Sequence, residues 1–515
     1  MFSLSSNNHF MPTTASKISA PLAMLGLTLL AMVFGVLVGL GGVIMGMIIA
    51  GFLFLVAAFF VPVTWVFWLL IASSFLVVGQ LQYFGKINKA FWLPYLTGLL
   101  LMARIALLAI QPRQFLAGGN RQPLVTAAHV SLAIFFLSLI ASSLLNTAPV
   151  FQVLVSLKEV FFLWGVWLAV RTGAVGSQEI DRLWRWALPF LVVQLPVIAY
   201  QRFYIAPNRH GPSSWDAVVG LFGGNPEGGG ASGAMALCAV LVMAYELARW
   251  RKGLSSIQRT GATMIIGLLS IALAEVKFAI LLIPVSVMII FARDIMLRPL
   301  RGLAMLIGGA LAATTILFAY QAQYAASHTR ASASVRDYVE QTLQRNTDSD
   351  SINYRTGEIG RLSALKLWWR EHGADKPVVL LLGHGIGATR IGMVTGEVSK
   401  RYSFKIARST LAIVLWEGGL IGACALMAAI LFGFLAALRE AHMTSCQKAS
   451  AMLQTAAATL LLVLLGFPYG TDFMNVAQVQ IISLIMLAYT ATQSRLAARH
   501  GRANGNIGAG RALPQ

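Results

Sequence analysis

The chain has 515 residues, of which 57% are hydrophobic and only 11% are charged. Soluble domains carry about 25% charged residues, so this composition excludes a soluble protein and indicates one that crosses a membrane many times. The net charge of +20 does not indicate nucleic-acid binding, because the basic residues lie in short connections between apolar runs, where they orient the chain in the bilayer.

Runs of about 20 apolar residues predict an all-α polytopic membrane protein with fourteen spans, or twelve if short runs are excluded. The ninth and tenth runs are short and are separated by Glu275 and Lys277, so they form either two spans or one re-entrant hairpin. The predicted spans lie near residues 20–40, 43–61, 64–83, 91–111, 126–145, 150–170, 184–204, 231–249, 260–274, 278–293, 302–321, 411–438, 449–467 and 474–494.

These spans divide the chain into four parts. Residues 1–321 hold the first eleven spans, and residues 322–406 form a large loop domain. Residues 407–494 hold the last three spans, and residues 495–515 are predicted to be a disordered cytoplasmic tail. The first apolar run has no evident cleavage site after it, so it is predicted to be a span and not a signal peptide.

The basic residues of the connecting segments predict the orientation of the bundle. With both termini in the cytoplasm, the cytoplasmic segments hold nineteen Lys and Arg residues and the short loops of the opposite side hold five. Cytoplasmic loops of membrane proteins are enriched in Lys and Arg, so the large loop is predicted to lie outside. In a bacterium this side is the periplasmic face of the inner membrane.

The large loop is the longest polar stretch of the chain. Between Ala322 and Arg408 it holds 13 Lys and Arg residues against eight Asp and Glu residues. Connections of this length are uncommon unless they fold or carry function, so we expect a small domain laid over the bilayer face. A basic, aromatic cap of this kind suits an anionic lipid-linked substrate, although a solvated loop without a ligand is the alternative.

Charged residues inside or beside the spans are further candidates. Lys158 and Glu159 lie halfway along the sixth span, where charges are costly, so they are either functional or a mutually neutralised pair. Lys277 lies at an outer helix junction, and a simple ion pair with Glu275 is the alternative to a functional role. Three cysteines and eight scattered histidines show no disulfide pattern or metal-ligand spacing, so no metal or other cofactor is predicted.

A glycine-rich loop follows the seventh span and contains Gly220–Gly230, preceded by Arg209 and His210. Glycine-rich turns at the start of a helix can leave backbone N–H groups free for phosphate oxygens. Glycines also serve close helix packing in membranes, so the flanking basic residues are what favours a phosphate site.

Three blocks resemble the O-antigen ligase and Wzy-type polysaccharide polymerase superfamily, over roughly residues 200–440. The blocks are Gly220–Pro226 with Asn225, then Gly360-Arg361 with Trp368 and Gly383–Gly387, and finally Arg408–Leu411 continuing through Glu417–Gly422. The resemblance implies an all-helical, metal-independent glycosyltransferase of the GT-C-like class. It also implies transfer of a glycan from undecaprenyl diphosphate to an acceptor hydroxyl.

The acceptor separates two alternatives within that superfamily. In ligases the acceptor is lipid A-core, whereas in polymerases it is another lipid-linked repeat unit. Ligases carry a histidine signature where this chain has Arg408-Ser409, and the family's first essential arginine is matched here by Lys277. Polymerases often use arginines that are separated from a following glycine by ten residues, as Arg209 is from Gly220 and Arg408 from Gly419. We therefore prefer a polymerase, with a flippase and a chain-length regulator as accessory partners, to a ligase.

The chemistry requires cations for the departing diphosphate, and a base can assist the attacking hydroxyl. Arg361, Arg408 and Lys277 are the predicted catalytic cations, and His384 is the predicted base or else a surface loop residue; His372 and Glu417 are further candidates for the base. Trp368 and Trp369 either hold sugar rings or pack within the protein. The predicted substrate-binding residues are Arg209, His210, Asn225, Arg355, Trp368, His372, Arg390 and Glu417.

Two other classes of function fit parts of the sequence. A transporter or flippase for lipid-linked sugars would also need many spans and a basic cavity. The single large outer domain and the lack of visible repeat halves disfavour it. A channel or scaffold would not need basic residues gathered on one face.

Overall fold

The computed structural model describes residues 60–109, 122–208, 217–224, 231–276, 278–297, 352–353, 357–373, 375–392 and 394–509, together with residues 300 and 307. From Pro62 onward the described residues belong to one compact unit. Their elements are helices, apart from a pair of two-residue strands. The predicted class, a polytopic all-helical membrane protein, is thereby confirmed in its coarse form.

Nine helices within the described ranges are long and apolar enough to cross a membrane. They are α1 (Val63–Tyr83), α2 (Asn88–Leu108), α3 (Pro123–Leu145), α4 (Val150–Thr172), α5 (Ser177–Asn208), α6 (Ser232–Arg251), α7 (Ile257–Ala274), α11 (Thr410–Met443) and α12 (Gln447–Gly466). The remaining helices are α8 (Phe278–Leu297), α9 (Arg361–His372), α10 (Pro377–Leu382), α13 (Asp472–Asn475) and α14 (Ala477–Ala509). Strands β1 (Ile352–Asn353) and β2 (Glu358–Ile359) pair antiparallel, with Ile352 opposite Ile359.

These nine helices correspond to the third to ninth, twelfth and thirteenth predicted spans. The tenth predicted span appears as α8, with an apolar core at Leu281–Ala292, and the fourteenth as the first part of α14. The first, second and eleventh predicted spans lie outside the described residues, apart from isolated positions. In the tail, which is predicted to be disordered, α14 continues as a helix to Ala509.

Three of the spanning helices contain a π turn, at Ser73–Val77 in α1, Lys158–Phe162 in α4 and Gln201–Ile205 in α5. A π turn widens the helix by one residue and often marks a functional position. Each turn takes part in a polar contact with a distant segment. Gln478 donates to the Ser74 carbonyl (2.6 Å) and Gln480 to the Glu159 carbonyl (3.0 Å). The Gln201 amide bonds the loop that precedes α6.

Helices α6 and α12 are the most enclosed of the nine, with 83% and 72% of their apolar windows buried. Small residues permit this close packing, since apolar lipid offers no hydrophobic drive between helices and association depends on tight contact. In α11, a Cβ added at Gly433 would lie 2.4 Å from a Leu487 methyl group. The core therefore requires α11, α12 and α14 to stay in close contact.

Ion pairs join residues that the sequence assigned to the same side of the membrane. Arg251 pairs with Asp294 (2.7 Å), and both were assigned to the cytoplasmic side. Arg202 pairs with Glu275 (2.5 Å), and both were assigned to the outer side. Arg202 is therefore a partner of Glu275, and the alternative of a Glu275–Lys277 pair stays a prediction, because Lys277 lies outside the described residues.

Candidate functional site

Residues 377–408, called the docked segment below, fold back onto the ends of the spanning helices. Asn146, just after α3, donates to the Gly383 carbonyl (2.9 Å), and Ser143 accepts from the Ile386 N–H (3.0 Å). Gln152 in α4 donates to the Ile386 carbonyl and accepts from the Glu397 N–H, both at 3.0 Å. The predicted outer loop therefore ends in a folded, anchored structure, in contrast to the alternative of a solvated loop.

The glycines of the Gly383–Gly387 block permit this close approach. Gly383, Gly385 and Gly387 have φ angles of 74°, 95° and 76°, in the left-handed region that favours glycine. A Cβ at Gly387 would lie 2.2 Å from the Ser156 hydroxyl oxygen of α4, so no larger residue fits there without a shift. The block thus serves backbone packing on α3 and α4.

Helix α11 is kinked at Gly419, whose φ and ψ are 63° and −165°. A kink removes hydrogen bonds from the carbonyls of the preceding turn, and within a membrane these groups must find other partners. The donors are the Trp368 indole to Leu415 (3.1 Å), the His384 N–H to Trp416 (2.8 Å), and the Gly385 N–H and Ser142 hydroxyl to Glu417 (3.0 and 2.9 Å). The docked segment, α9 and Ser142 of α3 therefore supply donors to the carbonyl groups at the kink. These hydrogen bonds in turn hold the docked segment and α9 against α11.

The Glu417 side chain is an anchor for the docked segment. It is 5% exposed, and its Oε1 accepts from the Thr389 hydroxyl (2.6 Å) and the Thr389 N–H (3.3 Å). A buried carboxyl group with this bonding is committed to the protein. The structure thus shows a structural role for Glu417, while the predicted contact with substrate stays a prediction.

Arg390, which follows Thr389 in the docked segment, anchors that segment to α4. Its Nη1 lies 2.9 Å from Glu159 Oε1, and the same oxygen bonds to the Lys158 ammonium. The Lys158 side chain is fully buried, and its Nζ lies 4.7 Å from the ring centroid of Phe91 and 5.1 Å from that of Trp92. The intramembrane pair is therefore part of a three-charge network that includes Arg390. This network connects the predicted substrate-binding residue Arg390 to the bundle.

His372 and His384 form a hydrogen-bonded pair, with 2.9 Å between their Nε2 atoms. His372 Nδ1 lies 2.7 Å from the Trp368 carbonyl and must donate to it. His372 Nε2 is then the acceptor for the His384 Nε2–H, and His384 keeps a lone pair on Nδ1. This tautomer assignment follows from the hydrogen-bond pattern.

Burial controls the protonation of this histidine pair. It lowers the pKa of His384 to about 4, with the neighbouring His372, Arg401 and Lys376 acting in the same direction. Burial also lowers the pKa of His372. Both rings are therefore neutral near pH 7. The alternative of a surface loop residue is wrong for His384, because the ring stacks on Trp416 (5.8 Å between centroids). The role of base stays a prediction, for a ring of low basicity.

The two neighbouring tryptophans of α9 have different environments. Trp368 is 4% exposed, stacks on His372 and supports the α11 kink through its indole N–H. Trp369 is 61% exposed. The predicted sugar-holding face of Trp368 is therefore occupied by the protein, while Trp369 is the residue of the pair that presents an open ring.

Arg361 begins α9 and contacts the loop between α12 and α13. Its Nε donates to the Tyr469 carbonyl, and its Cζ lies 4.0 Å from the centroid of the Tyr469 ring. Phe278 stacks on the same ring, with 3.9 Å between centroids and 8° between planes. Phe278 directly follows Lys277 in the sequence. Tyr469 therefore contacts the predicted catalytic residue Arg361 directly. It also contacts Phe278, the residue that follows the predicted catalytic Lys277 in the sequence.

Arg408 is partly buried and lies two residues before α11, whose start contacts the same loop. The Thr410 N–H and hydroxyl donate to the Gly470 carbonyl (2.8 and 3.0 Å), and the Leu411 N–H donates to the Phe467 carbonyl (2.9 Å). The loop Phe467–Asp472 thus contacts Arg361 directly and the start of α11, two residues after Arg408. We call this region the cation cluster.

No motif in the sequence marks the loop Phe467–Asp472. Its signal is a short connection of Phe, Pro, Tyr, Gly, Thr and Asp between two spans, on the predicted outer side. Asp472 also lies near Gly233 at the start of α6, since a Cβ at Gly233 would be 3.1 Å from its carboxylate. Three spanning helices, α6, α11 and α12, therefore meet at this loop.

Only part of the predicted glycine-rich site is described. Gly220 N–H donates to Gln201 Oε1 (2.7 Å), and a Cβ at Gly79 of α1 would lie 1.8 Å from the Leu221 carbonyl. The described part, residues 217–224, is therefore packed against α1 and α5, which corrects the expectation of free N–H groups there. The positions outside the described residues, on which the structure gives no contact, are Arg209, His210, Asn225, Lys277 and Arg355.

The geometry brings the predicted site residues into three adjoining groups. Arg361 and Arg408 belong to the cation cluster; Trp368, His372 and His384 support the α11 kink; Glu417 and Arg390 anchor the docked segment. The kink and the cation cluster are both on α11, at Gly419 and Thr410. No protein-family model matches the chain, and no curated protein matches it.

Proposed function

We propose that this protein is a membrane glycosyltransferase that polymerises undecaprenyl-diphosphate-linked oligosaccharide repeat units into O-antigen, capsule or exopolysaccharide. The reaction takes place at the periplasmic face of a bacterial inner membrane. The observation that supports this most is the cation cluster. Its loop contacts Arg361 and the start of α11 next to Arg408, at the ends of long apolar helices, where we expect an anionic lipid headgroup to enter.

The reaction needs positive charge more than it needs a strong base. The acceptor hydroxyl oxygen attacks the anomeric carbon, the bond from that carbon to the diphosphate oxygen breaks, and undecaprenyl diphosphate leaves with the electron pair. Arg361 and Arg408 stabilise the developing charge, and their guanidinium groups stay protonated throughout. The hydroxyl proton is lost to solvent or to a weak base such as His384 Nδ1.

The docked segment supports a fixed active site. It is held by Asn146, by Gln152, by the half-buried carboxylate of Glu159 and by the buried carboxyl group of Glu417. Catalysis gains from groups that are held in place before the reaction, whereas alternating access requires one part of a transporter to rock against another. These anchors therefore favour an enzyme over a lipid-linked sugar transporter.

The test uses purified protein in lipid nanodiscs with lipid-diphosphate-linked repeat units as the only substrate. We expect longer lipid-linked chains, without added metal and in the presence of a chelator. If no lipid-linked chain is extended under these conditions but lipid A-core is decorated when it is added, the protein is an O-antigen ligase and not a polymerase. Movement of the unmodified lipid-linked glycan across proteoliposomes would instead support a flippase.

A further inference from the structure

We propose that Tyr469 is a positioning residue, which holds the Arg361 guanidinium for the diphosphate of the lipid-linked donor. This inference rests on the proposed function and assigns a role to a residue that no motif identified. The observation that carries it is the arrangement of three groups around one ring: Phe278, Tyr469 and Arg361.

The Tyr469 ring is held between an aromatic ring and a cation. The Phe278 centroid lies 3.9 Å from the Tyr469 centroid and the Arg361 Cζ lies 4.0 Å from it. Two groups this close to one ring cannot share a face, so they lie on opposite faces. The Arg361 Nε–H also bonds to the Tyr469 backbone carbonyl. One residue therefore holds the guanidinium through its ring and through its backbone.

This arrangement suits an arginine that binds an anion. The hydrogen-bond donors of a guanidinium lie in its plane, whereas an aromatic residue is contacted through the face of that plane. Stacking on Tyr469 therefore restricts the motion of Arg361 through the face of the guanidinium, and the in-plane Nε–H is bonded to the Tyr469 carbonyl. Recognition of phosphate oxygens is then assigned to the Nη groups. A restricted side chain loses less conformational freedom when the donor binds.

The position of Tyr469 is itself tied to the start of α11. The Gly470 carbonyl accepts two hydrogen bonds from Thr410, and the Phe467 carbonyl accepts one from Leu411. Arg408 lies two residues before Thr410. The loop therefore contacts both the Arg361 guanidinium and the start of α11 next to Arg408. Two cations that act on one diphosphate require such a fixed relative position of the two chain segments.

The experiment compares three variants in the nanodisc extension assay. Tyr469→Phe keeps the ring, so its kcat/KM should stay within about twofold of the wild type. Tyr469→Leu removes the ring face and should lower kcat/KM about tenfold, mainly through a higher KM for the lipid-linked donor. Phe473→Leu is the matched control: Phe473 is a buried aromatic residue of α13 whose ring packs at a tilt against Phe467, and its loss should change the donor KM less than about twofold.

A double-variant cycle separates positioning from general packing. In the background of Arg361→Lys, which keeps the charge but not the planar group, Tyr469→Leu should cause little further loss, about twofold or less. Tenfold losses that multiply in the double variant, or equal losses in Tyr469→Leu and Phe473→Leu, would overturn the assignment and leave Tyr469 as a packing residue.

Failure of this inference differs from failure of the proposed function. Wild-type protein that extends lipid-linked chains, combined with multiplicative losses in the cycle, contradicts only the role of Tyr469. Wild-type protein that neither extends these chains nor retains undecaprenyl diphosphate in a binding assay contradicts the proposed function, and the inference falls with it.

Discussion

At the residue scale, variants of Arg361 distinguish the effect of the planar geometry of a cation from the effect of its charge. Arg361 contacts Tyr469 through a planar guanidinium, which a lysine ammonium cannot reproduce. We expect Arg361→Lys to lose most polymer synthesis at normal expression, about tenfold or more, and Arg361→Ala to lose all detectable synthesis. Polymer length in cells that carry each variant is the measurement. Full activity of Arg361→Ala would remove this residue from the site.

The converse change tests the position next to Phe278. The resemblance to polysaccharide polymerases and ligases implies an arginine where this chain has Lys277, so Lys277→Arg should retain synthesis while Lys277→Ala should not. The same polymer assay, with membrane insertion verified by immunoblot, checks this. Wild-type synthesis by Lys277→Ala would show that the charge at this position is dispensable.

Protonation of the histidine pair leads to a pH dependence of stability. The pKa of His384 falls from an ordinary value near 6.5 to about 4, so the unfolded chain binds more protons than the folded protein between these values. The stabilisation is present above pH 6.5 and is lost as the pH falls towards 4 and below. We expect amide hydrogen exchange at residues 383–387 to accelerate over this window, relative to residues of α6, after correction for the intrinsic exchange rate.

A variant without the ionisable ring provides the control for this pH dependence. His384→Gln should remove most of the acceleration in residues 383–387 while it lowers protection at every pH. An unchanged pH profile in His384→Gln would assign the effect to other groups. His372 faces the same ring, so His372→Gln should reduce the effect as well.

At the scale of elements, the docked segment depends on backbone contacts that only glycine allows. Gly387→Ala places a Cβ against Ser156 at a φ of 76°, so we expect the free energy of unfolding to fall by about 2 kcal/mol and synthesis to drop strongly. Gly176→Ala is the control, because a Cβ there meets nothing within 4 Å. Adding Ser156→Ala to Gly387→Ala should recover part of the loss, as steric conflict requires. Equal effects of Gly387→Ala and Gly176→Ala would contradict the close approach to α4.

At the scale of the whole molecule, the orientation of the bundle remains a prediction from the basic residues. Cys446 lies before α12 and is exposed, and Lys400 of the docked segment is exposed near the opposite helix ends. In a Cys424→Ser background, we expect Lys400→Cys to react with a membrane-impermeant thiol reagent in intact spheroplasts and Cys446 to react only after permeabilisation. The reverse pattern would invert the bundle and move the candidate site to the cytoplasmic side.

The sequence by itself determined which parts of the described chain form helices long and apolar enough to cross a membrane. Hydropathy is a local property, so seven consecutive predicted spans, the third to the ninth, and two later ones appear as helices of the expected length. The basic blocks at Arg361 and Arg408 also stood out locally, because they lie in polar stretches beside apolar helices. Glycine blocks were visible as well, but their sequence alone did not distinguish phosphate binding from close packing.

Only the tertiary structure decided which residues meet. Arg390 pairs with Glu159 across 231 positions and Arg361 contacts Tyr469 across 108. Such contacts depend on how helices pack and where a kink at Gly419 exposes carbonyl groups, and no local pattern encodes either. For the same reason the supporting contacts of Trp368 with α11 and of Glu417 with Thr389 could not be predicted from the sequence. Nothing in the sequence marks Tyr469, because an aromatic residue in a short loop can position a cation only when the fold brings that cation against its ring.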